Sequence, residues 1–210
     1  MLRPLFIRPL FILRGGSARA KLEPMFGCRE GLGGARMIVL GIDPGLANTG
    51  WGVIETRGSV ARARAYGCIH TEADEPLHER LGEIYAQISQ AIGRYEPGSV
   101  AIEDIFFGQN TRSAILTAHA RGAALVACSQ CGVEVASYTP MQIKQAVVGT
   151  GAADKRQVTY MVRNVLALDH DPKPDHCADA LAAAVCHANL SRTFAMSAAQ
   201  GGAAARTLAK

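Results

Sequence analysis

The sequence predicts an α/β domain with a mixed β-sheet, and three observations lead to this prediction. Three strand-like segments follow one another directly, beginning at Met37. Further strand-like segments then alternate with segments of helical period, which is the order typical of an α/β fold. No G-x-G-x-x-G turn follows the first strand, and its absence argues against a doubly wound dinucleotide-binding fold.

Five segments have the length and composition of β-strands. The first, Met37-Ile-Val-Leu-Gly-Ile-Asp43, is apolar until its last residue, as expected of a buried strand. A turn rich in glycine, proline and asparagine separates it from the second. A meander followed by helix-linked strands predicts that the sheet contains both antiparallel and parallel pairs. The strands are predicted at residues 37–43, 50–55, 62–70, 100–103 and 133–138.

Five helices are predicted from apolar periodicity and from end signals. In the first, leucine and isoleucine recur at a spacing of three or four residues. The second is long and rich in small residues. Thr139 and Pro140 form a typical helix start, an N-cap followed by proline at the first helical position. The helices are predicted at residues 76–95, 110–130, 140–147, 154–168 and 175–189.

The composition divides the chain into three segments. Residues 1–36 contain seven Lys or Arg, two acids, several glycines and prolines near their start. We interpret them as a non-native or disordered N-terminal extension, with Met37 as the natural start. A targeting peptide is the alternative, because the first 22 residues lack acids. The folded domain is expected at residues 37–192, followed by a flexible tail at residues 193–210, which are rich in alanine, glycine and serine.

The net charge of +4 does not by itself indicate nucleic-acid binding. The N-terminal extension carries +5 and the rest of the chain −1, so the basic balance belongs to the extension. No run approaches the roughly 20 apolar residues that a membrane span needs, so no membrane partner is expected. The six cysteines are too scattered for a disulfide scaffold, which favours a reducing compartment.

Three acids and a histidine stand at the ends of predicted elements. Asp43 ends the first strand and Glu103 the fourth, while His176 and Asp179 share a helix face at i, i+3 spacing. Two adjacent carboxylates are costly unless a cation lies between them, and His with Asp can bind a divalent metal. The glycines after Asp43 are expected to leave room for a phosphate. Structural interpretations stay open: an Asx-turn at Asp43, and Asp104 rather than Glu103 facing inward.

Together these residues resemble the metal site of the ribonuclease H-like nucleases and, more narrowly, the RuvC family of bacterial Holliday junction resolvases. The resemblance runs from Met37 to about Asn189 and rests on five motifs in order. They are Gly41-Ile-Asp-Pro-Gly45 with Thr49-Gly-Trp-Gly-Val53, Ala101-Ile-Glu103, Ala120-Arg-Gly122, Gln142-Ile-Lys-Gln-Ala-Val-Val-Gly149 and Ala178-Asp-Ala-Leu181. The implied fold is ribonuclease H-like, a five-stranded mixed sheet flanked by helices.

The resemblance implies that Asp43, Glu103, His176 and Asp179 are catalytic and hold two Mg²⁺ or Mn²⁺ ions. His176 stands where many family members have aspartate. Neutral imidazole binds Mn²⁺ better than Mg²⁺, so this difference is expected to change the metal preference rather than to abolish activity. The neighbouring Asp175 is an alternative ligand, although helical geometry turns it about 100° away.

The resemblance also implies a set of nucleic-acid-binding residues. In the family, an aromatic residue three places after the fourth-strand glutamate stacks on or wedges between DNA bases, and Phe106 matches it. Lys144 and Lys155 match functional lysines of the family. Beyond the resemblance, we expect Arg156 and Arg163 to extend the basic track and Arg112 to contact phosphates. Without the resemblance, solvated helix lysines and a core phenylalanine would be the ordinary interpretations.

The function implied by the resemblance is that of a crossover junction endodeoxyribonuclease, a hydrolase of DNA recombination and repair. It would resolve four-way DNA junctions by paired symmetric nicks and leave a 5′-phosphate and a 3′-hydroxyl. Two symmetric nicks call for a C2 homodimer. RuvA and RuvB as partners and a bacterial cytoplasmic location follow from the resemblance alone. A candidate dimer contact is the small-residue stripe of the second helix, consisting of Ala114, Ala118, Gly122 and Ala123.

Three other functions are considered. A catalytically impaired junction-binding protein is the first, with His176 as the lesion. A ribonuclease H-like nuclease acting on RNA is the second. A sugar-kinase-like ATPase also begins with a strand that carries aspartate and glycines, but the predicted domain is too short to contain its second domain as well.

Overall fold

A computed structural model describes residues 36–105 and 111–207, with side chains described through Thr193. The strands are β1 (Arg36–Asp43), β2 (Asn48–Arg57), β3 (Val60–His70), β4 (Ser99–Glu103) and β5 (Val135–Tyr138). The helices are α1 (Leu77–Tyr95), α2 (Thr111–Gln130), α3 (Pro140–Val148), α4 (Lys155–Val165) and α5 (Asp175–Thr207). The predicted order of strands and helices is confirmed.

The strands form one mixed sheet in the order β3-β2-β1-β4-β5. Short turns join β1 to β2 and β2 to β3, and these pairs are antiparallel. Helices separate β1 from β4 and β4 from β5, and these pairs are parallel, as a crossover connection requires. Ile42 lies opposite Ile102, so β1 and β4 end at the same edge of the sheet. The predicted five-stranded mixed sheet is confirmed.

Helices cover both faces of the sheet and bury two apolar cores. On one face, α1 and α2 pack over a core that includes Leu40 and Ile102. On the other face, α3, α4 and α5 enclose a core that includes Val39 and Leu181. Successive residues of β1 therefore belong to opposite cores, which explains why this strand reads as a continuous apolar run.

Helix α5 approaches the sheet closely because glycine and alanine face each other along the contact. A Cβ atom on Gly41 would overlap the carbonyl oxygen of Ala180, and one on Gly50 would overlap the carbonyl oxygen of His176. Residues 180–186 of α5 are all buried. Because Gly41 and Gly50 have no side chains, the first turns of α5 lie directly against the end of β1 and the start of β2.

Several elements extend beyond their predicted limits, and α5 and β2 do so by two residues or more at one end. α5 continues to Thr207, whereas the sequence predicts a helix at residues 175–189 and a flexible tail from residue 193. Alanine, the strongest helix former, is abundant in the added segment. β2 begins at Asn48 because Asn48 and Thr49 pair with the end of β3, beyond the last pair that β2 forms with β1. The domain limits at residues 37 and 192 stay predictions, and residues 1–35 lie outside the described part of the chain. No helix of the described residues combines the length and apolarity needed to cross a membrane.

Candidate metal and nucleic-acid site

Asp43 and Glu103 lie at one edge of the sheet, at the ends of neighbouring strands. Each follows a residue of the paired positions Ile42 and Ile102, and both are partly buried. Asp104 is exposed, and its carboxylate lies 3.4 Å from the Arg121 guanidinium. Glu103 is therefore the inward acid of the two, a question of register that the sequence leaves open.

The first turn of α5 brings His176 and Asp179 to this edge. His176 Nδ1 lies 2.7 Å from Asp43 Oδ2, although the two residues are 133 positions apart in the chain. One ligand atom from each of Asp43, His176 and Asp179 can be chosen so that all three lie within 4.8 Å of one another. An imidazole nitrogen and two carboxylates at such separations can share a divalent cation.

The turn after Asp43 is fixed by a buried hydrogen bond and contacts the start of α5. Thr49 is fully buried and its hydroxyl donates a hydrogen bond of 2.7 Å to the Gly45 carbonyl oxygen. At the next residue, Gly50, the carbonyl group of His176 occupies the position that a Cβ atom would need. The expectation that these glycines leave room for a phosphate is therefore wrong for Gly50, which instead admits helix α5. Sequence reasoning missed Thr49 as a positioning residue, although a threonine four places after the turn glycine was the available signal.

The pKa values of Glu103, Asp179 and His176 are all raised by their surroundings in the site. Burial, together with the charges of Asp43 and Asp179, raises the pKa of Glu103 to about 8. Burial and the charge of Asp43 also raise the pKa of Asp179. The hydrogen bond to Asp43 raises the pKa of His176 above its ordinary value. A cluster that holds protons this firmly is one that a cation would stabilise by replacing them.

Lys155, at the start of α4, is the predicted basic residue that reaches this cluster. Its Nζ lies 3.1 Å from Asp179 Oδ2 and 3.4 Å from Asp175 Oδ2. Burial alone would lower the pKa of Lys155, but the hydrogen bond to Asp179 and the two carboxylate charges raise it. Asp175 therefore faces Lys155, and the exposed Asp175 is not one of the three residues that converge on Asp43.

The other predicted nucleic-acid-binding residues lie outside the cluster. Arg112 is exposed at the start of α2, Lys144 is half-buried on α3 and Arg156 is exposed on α4. Within the described residues, none of the three forms an ion pair with the acids of the site. Phe106 lies outside the described residues, so its predicted role stays a prediction.

Comparison with protein families gives one match that covers most of the folded domain. The family described as crossover junction endodeoxyribonuclease RuvC matches residues 39–187. The RuvC protein of Desulforamulus reducens is 50% identical over 158 residues, which are 75% of this chain and 97% of that protein. The RuvC protein of Moorella thermoacetica is 47% identical over 74% of this chain and 93% of its own length.

Comparison with solved structures gives the same family. The structure of Thermus thermophilus RuvC in complex with a Holliday junction substrate matches with a TM-score of 0.73 and 42% identity. The match covers 75% of this chain and 96% of that chain. A second structure of Thermus thermophilus RuvC matches with a TM-score of 0.70 over 97% of its length.

Proposed function

The chain belongs to the RuvC family of crossover junction endodeoxyribonucleases, and from that premise we propose that it resolves four-way DNA junctions by metal-dependent hydrolysis. The observation that carries the proposal is the convergence of Asp43, His176 and Asp179, which the fold brings together from both ends of the domain. Neither an Asx-turn nor a helix-dipole role for these acids requires such a convergence.

The residues of the site fit a divalent cation. Two carboxylates and one imidazole supply hard oxygen donors and one nitrogen donor, a set that suits Mg²⁺ and, better, Mn²⁺. A nearby cation would stabilise the charged form of Glu103, so the pKa of this residue would fall from its raised value of about 8. We assign Asp43, Glu103, His176 and Asp179 as the residues that would hold two ions.

Bound metal would supply the hydrolytic chemistry, by lowering the pKa of an attacking water and by stabilising the leaving 3′-oxygen. The chain itself prepares this step. His176 and Asp43, which contact each other without metal, would each offer an atom to the ion, and Asp43 and Asp179 hold their carboxylates at the strand and helix ends. Lys155 offsets the negative charge and offers a cation to the phosphodiester. The expected products carry a 5′-phosphate and a 3′-hydroxyl.

DNA binding is assigned to the cations around the site and to the segment after Glu103. Lys155 adjoins the acids directly, while Arg112, Lys144 and Arg156 lie outside the cluster on α2, α3 and α4. Their side chains are available because, in the described residues, Arg112, Lys144 and Arg156 form no ion pair. Phe106 keeps its proposed role as the base-stacking wedge.

A homodimer would place two such sites for paired, symmetric nicks. The exposed apolar side chains of α2 support this helix as the contact, with Ile115 49% exposed and Val126 53% exposed. Ala114, by contrast, is buried within its own subunit, so it does not belong to the proposed contact. RuvA and RuvB as further partners and a bacterial cytoplasmic location remain proposals drawn from the family.

Cleavage of a synthetic four-way junction, with and without Mg²⁺ or Mn²⁺, tests the proposal. The wild-type chain should make two symmetric nicks only with metal. Asp43→Asn should abolish cleavage and leave junction binding nearly unchanged, because it weakens a metal ligand and removes no cation. Asp104→Asn is the matched control, since this neighbouring acid pairs with Arg121 outside the cluster, and it should cut normally.

Other outcomes of this assay would contradict the proposal. Junction binding without cleavage under any metal would favour a catalytically impaired binding protein. Preferential cutting of an RNA–DNA hybrid would favour a ribonuclease. Loss of junction binding in Asp43→Asn would contradict its assignment as a metal ligand.

A further inference from the structure

A second feature opens directly beside the metal cluster: a cleft of about 780 Å³ between α4 and the loop that leads to α5. Lys155 lines the cleft and also contacts Asp179, so the cleft and the cluster share this side chain. A volume of this size is typical of pockets that accommodate a small organic ligand. We refer to it as the α4 cleft.

The walls of the α4 cleft combine an apolar floor with an exposed aromatic ring. Met161 and the buried Pro172 contribute apolar surface. Tyr160 lines the cleft and is 56% exposed, an unusual exposure for a large aromatic residue that has no hydrogen bond from its hydroxyl in the described residues. The Arg163 guanidinium lies 5.4 Å from the centroid of the Tyr160 ring. It also forms a salt bridge of 3.2 Å with Asp171, and this pair supports one side of the ring.

Among the charged residues that line the α4 cleft, two cations form no ion pair within the part of the chain that the structure describes. Asp171 is paired with Arg163 and Asp175 with Lys155. Asp154 accepts the backbone N–H of Gln157 as the N-cap of α4. Among the described residues, Arg156 and Lys173 also line the cleft and form no ion pair. An anion can therefore approach these two side chains without displacing an acid.

We propose that the α4 cleft binds the nucleotide next to the phosphodiester that is cut, with its base on the Tyr160 ring and its phosphates beside Arg156 and Lys173. This proposal rests on the proposed function and adds a subsite to it. The DNA strand is the occupant that fits, because Lys155 belongs to both the cluster and the cleft, so a strand whose phosphate lies at the cluster can continue into the cleft. Stacking on a ring accepts any base, so this subsite would position the strand without selecting its sequence.

Fluorescence of 2-aminopurine tests the subsite without depending on cleavage. The probe replaces the base on either side of the cut in a synthetic junction, and the protein carries Asp43→Asn so that the strand stays intact. Binding should quench the probe at one of the two positions. Tyr160→Ala should abolish this quenching, whereas Tyr160→Phe should keep it, because stacking needs the ring and not the hydroxyl.

Cleavage and salt dependence provide two further measurements. In the otherwise wild-type chain, Tyr160→Ala should slow single-turnover cleavage about tenfold, the order expected for one lost base stack. Tyr85→Ala is the matched control, because Tyr85 is an exposed tyrosine on α1. Replacing Arg156 and Lys173 by glutamine should each reduce the slope of log affinity against log salt by roughly 0.9.

The results of these experiments show whether the proposed subsite or the proposed function of the whole protein is wrong. A wild-type chain that cuts no junction would overturn the proposed function and the subsite together. A wild-type chain that cuts normally, with a Tyr160→Ala variant that quenches the probe and cuts at the same rate, would overturn the subsite alone. Thermal melting shows whether Tyr160→Ala is folded; if it is not, unchanged salt slopes in the Arg156→Gln and Lys173→Gln variants would overturn the subsite.

Discussion

His176 is the residue at which this site differs from an all-carboxylate cluster. Its nitrogen replaces a carboxylate oxygen and carries no negative charge when it binds a metal. Its Nδ1 lies 2.7 Å from Asp43, so this proposed ligand is in direct contact with another proposed ligand. The identity of this one side chain should therefore set the metal preference.

His176→Asp should shift the metal preference from Mn²⁺ towards Mg²⁺ while cleavage continues, because an all-oxygen set favours the harder ion. Junction cleavage titrated with each metal measures the shift. His78→Asp, at an exposed position on α1, should leave both titrations unchanged. An inactive His176→Asp variant would count against the ligand role of this residue.

Glu103 should make metal binding dependent on pH. Its pKa is raised to about 8, so the metal-free fold holds a proton there that the unfolded chain releases at lower pH. Because the pKa of Glu103 is higher in the folded than in the unfolded chain, its contribution to stability is fully present at pH values below the unfolded pKa. This contribution is lost as the pH rises towards 8. A bound cation must displace the proton, so apparent Mn²⁺ affinity should increase about tenfold per pH unit between pH 6 and 8.

Isothermal titration calorimetry at several pH values, in buffers of different ionisation enthalpy, measures this affinity and the proton released. Glu103→Gln should weaken binding and reduce its pH dependence by one proton, since the proton of Glu103 is then absent and only the other proposed ligands have protons to release. If the metal affinity of the wild-type chain does not depend on pH, the argument that a cation displaces the proton of Glu103 is wrong.

At the scale of elements, hydrophobic periodicity together with turn and end signals predicted the five strands and five helices in order. The limits of these elements placed Asp43, Glu103 and His176 near element ends, and the family motifs suggested their role. What the sequence could not supply was the contact between distant elements: the entry of α5 against Gly50, and Lys155 between Asp175 and Asp179. Such contacts depend on how closely packed elements approach, which periodicity along one element does not encode.

Gly50→Ala should displace the first turn of α5, because its Cβ atom would overlap the His176 carbonyl oxygen. Overpacking of this kind costs about 1–3 kcal/mol of unfolding free energy, and it should also weaken metal binding through the shifted His176. Chemical denaturation and metal titration measure both effects. Gly82→Ala is the control, since nothing lies within 4 Å of a Cβ atom there; it should be neutral or stabilising.

A Gly50→Ala variant with unchanged stability and metal affinity would contradict the close-approach argument. Weakened metal binding with unchanged stability would still support it, because α5 could then relax locally while His176 moved away from Asp43.

At the scale of the whole molecule, the proposed pairing of two chains follows from exposed apolar surface on α2. Ile115→Glu places a charge in the proposed contact and should produce a monomer in sedimentation velocity. The monomer should nick one strand of a junction at a time, because paired nicks need two sites. Val60→Glu is the matched control, with 51% exposure at the β2–β3 turn, and should leave the oligomeric state unchanged.

A dimeric Ile115→Glu variant that still makes paired nicks would exclude α2 as the contact. A wild-type chain that sediments as a monomer at micromolar concentration and yet makes paired nicks would contradict the homodimer itself.

The separation of 133 positions between Asp43 and His176 also has a meaning during protein synthesis. A nascent polypeptide emerges from the ribosome with β1 first, and the start of α5 follows only after most of the domain has left the exit tunnel. An incomplete translation product that ends before residue 175 can contain the sheet edge and yet lacks two of the proposed ligands. Prematurely terminated chains of this nuclease should therefore be unable to damage the chromosome of the cell that makes them.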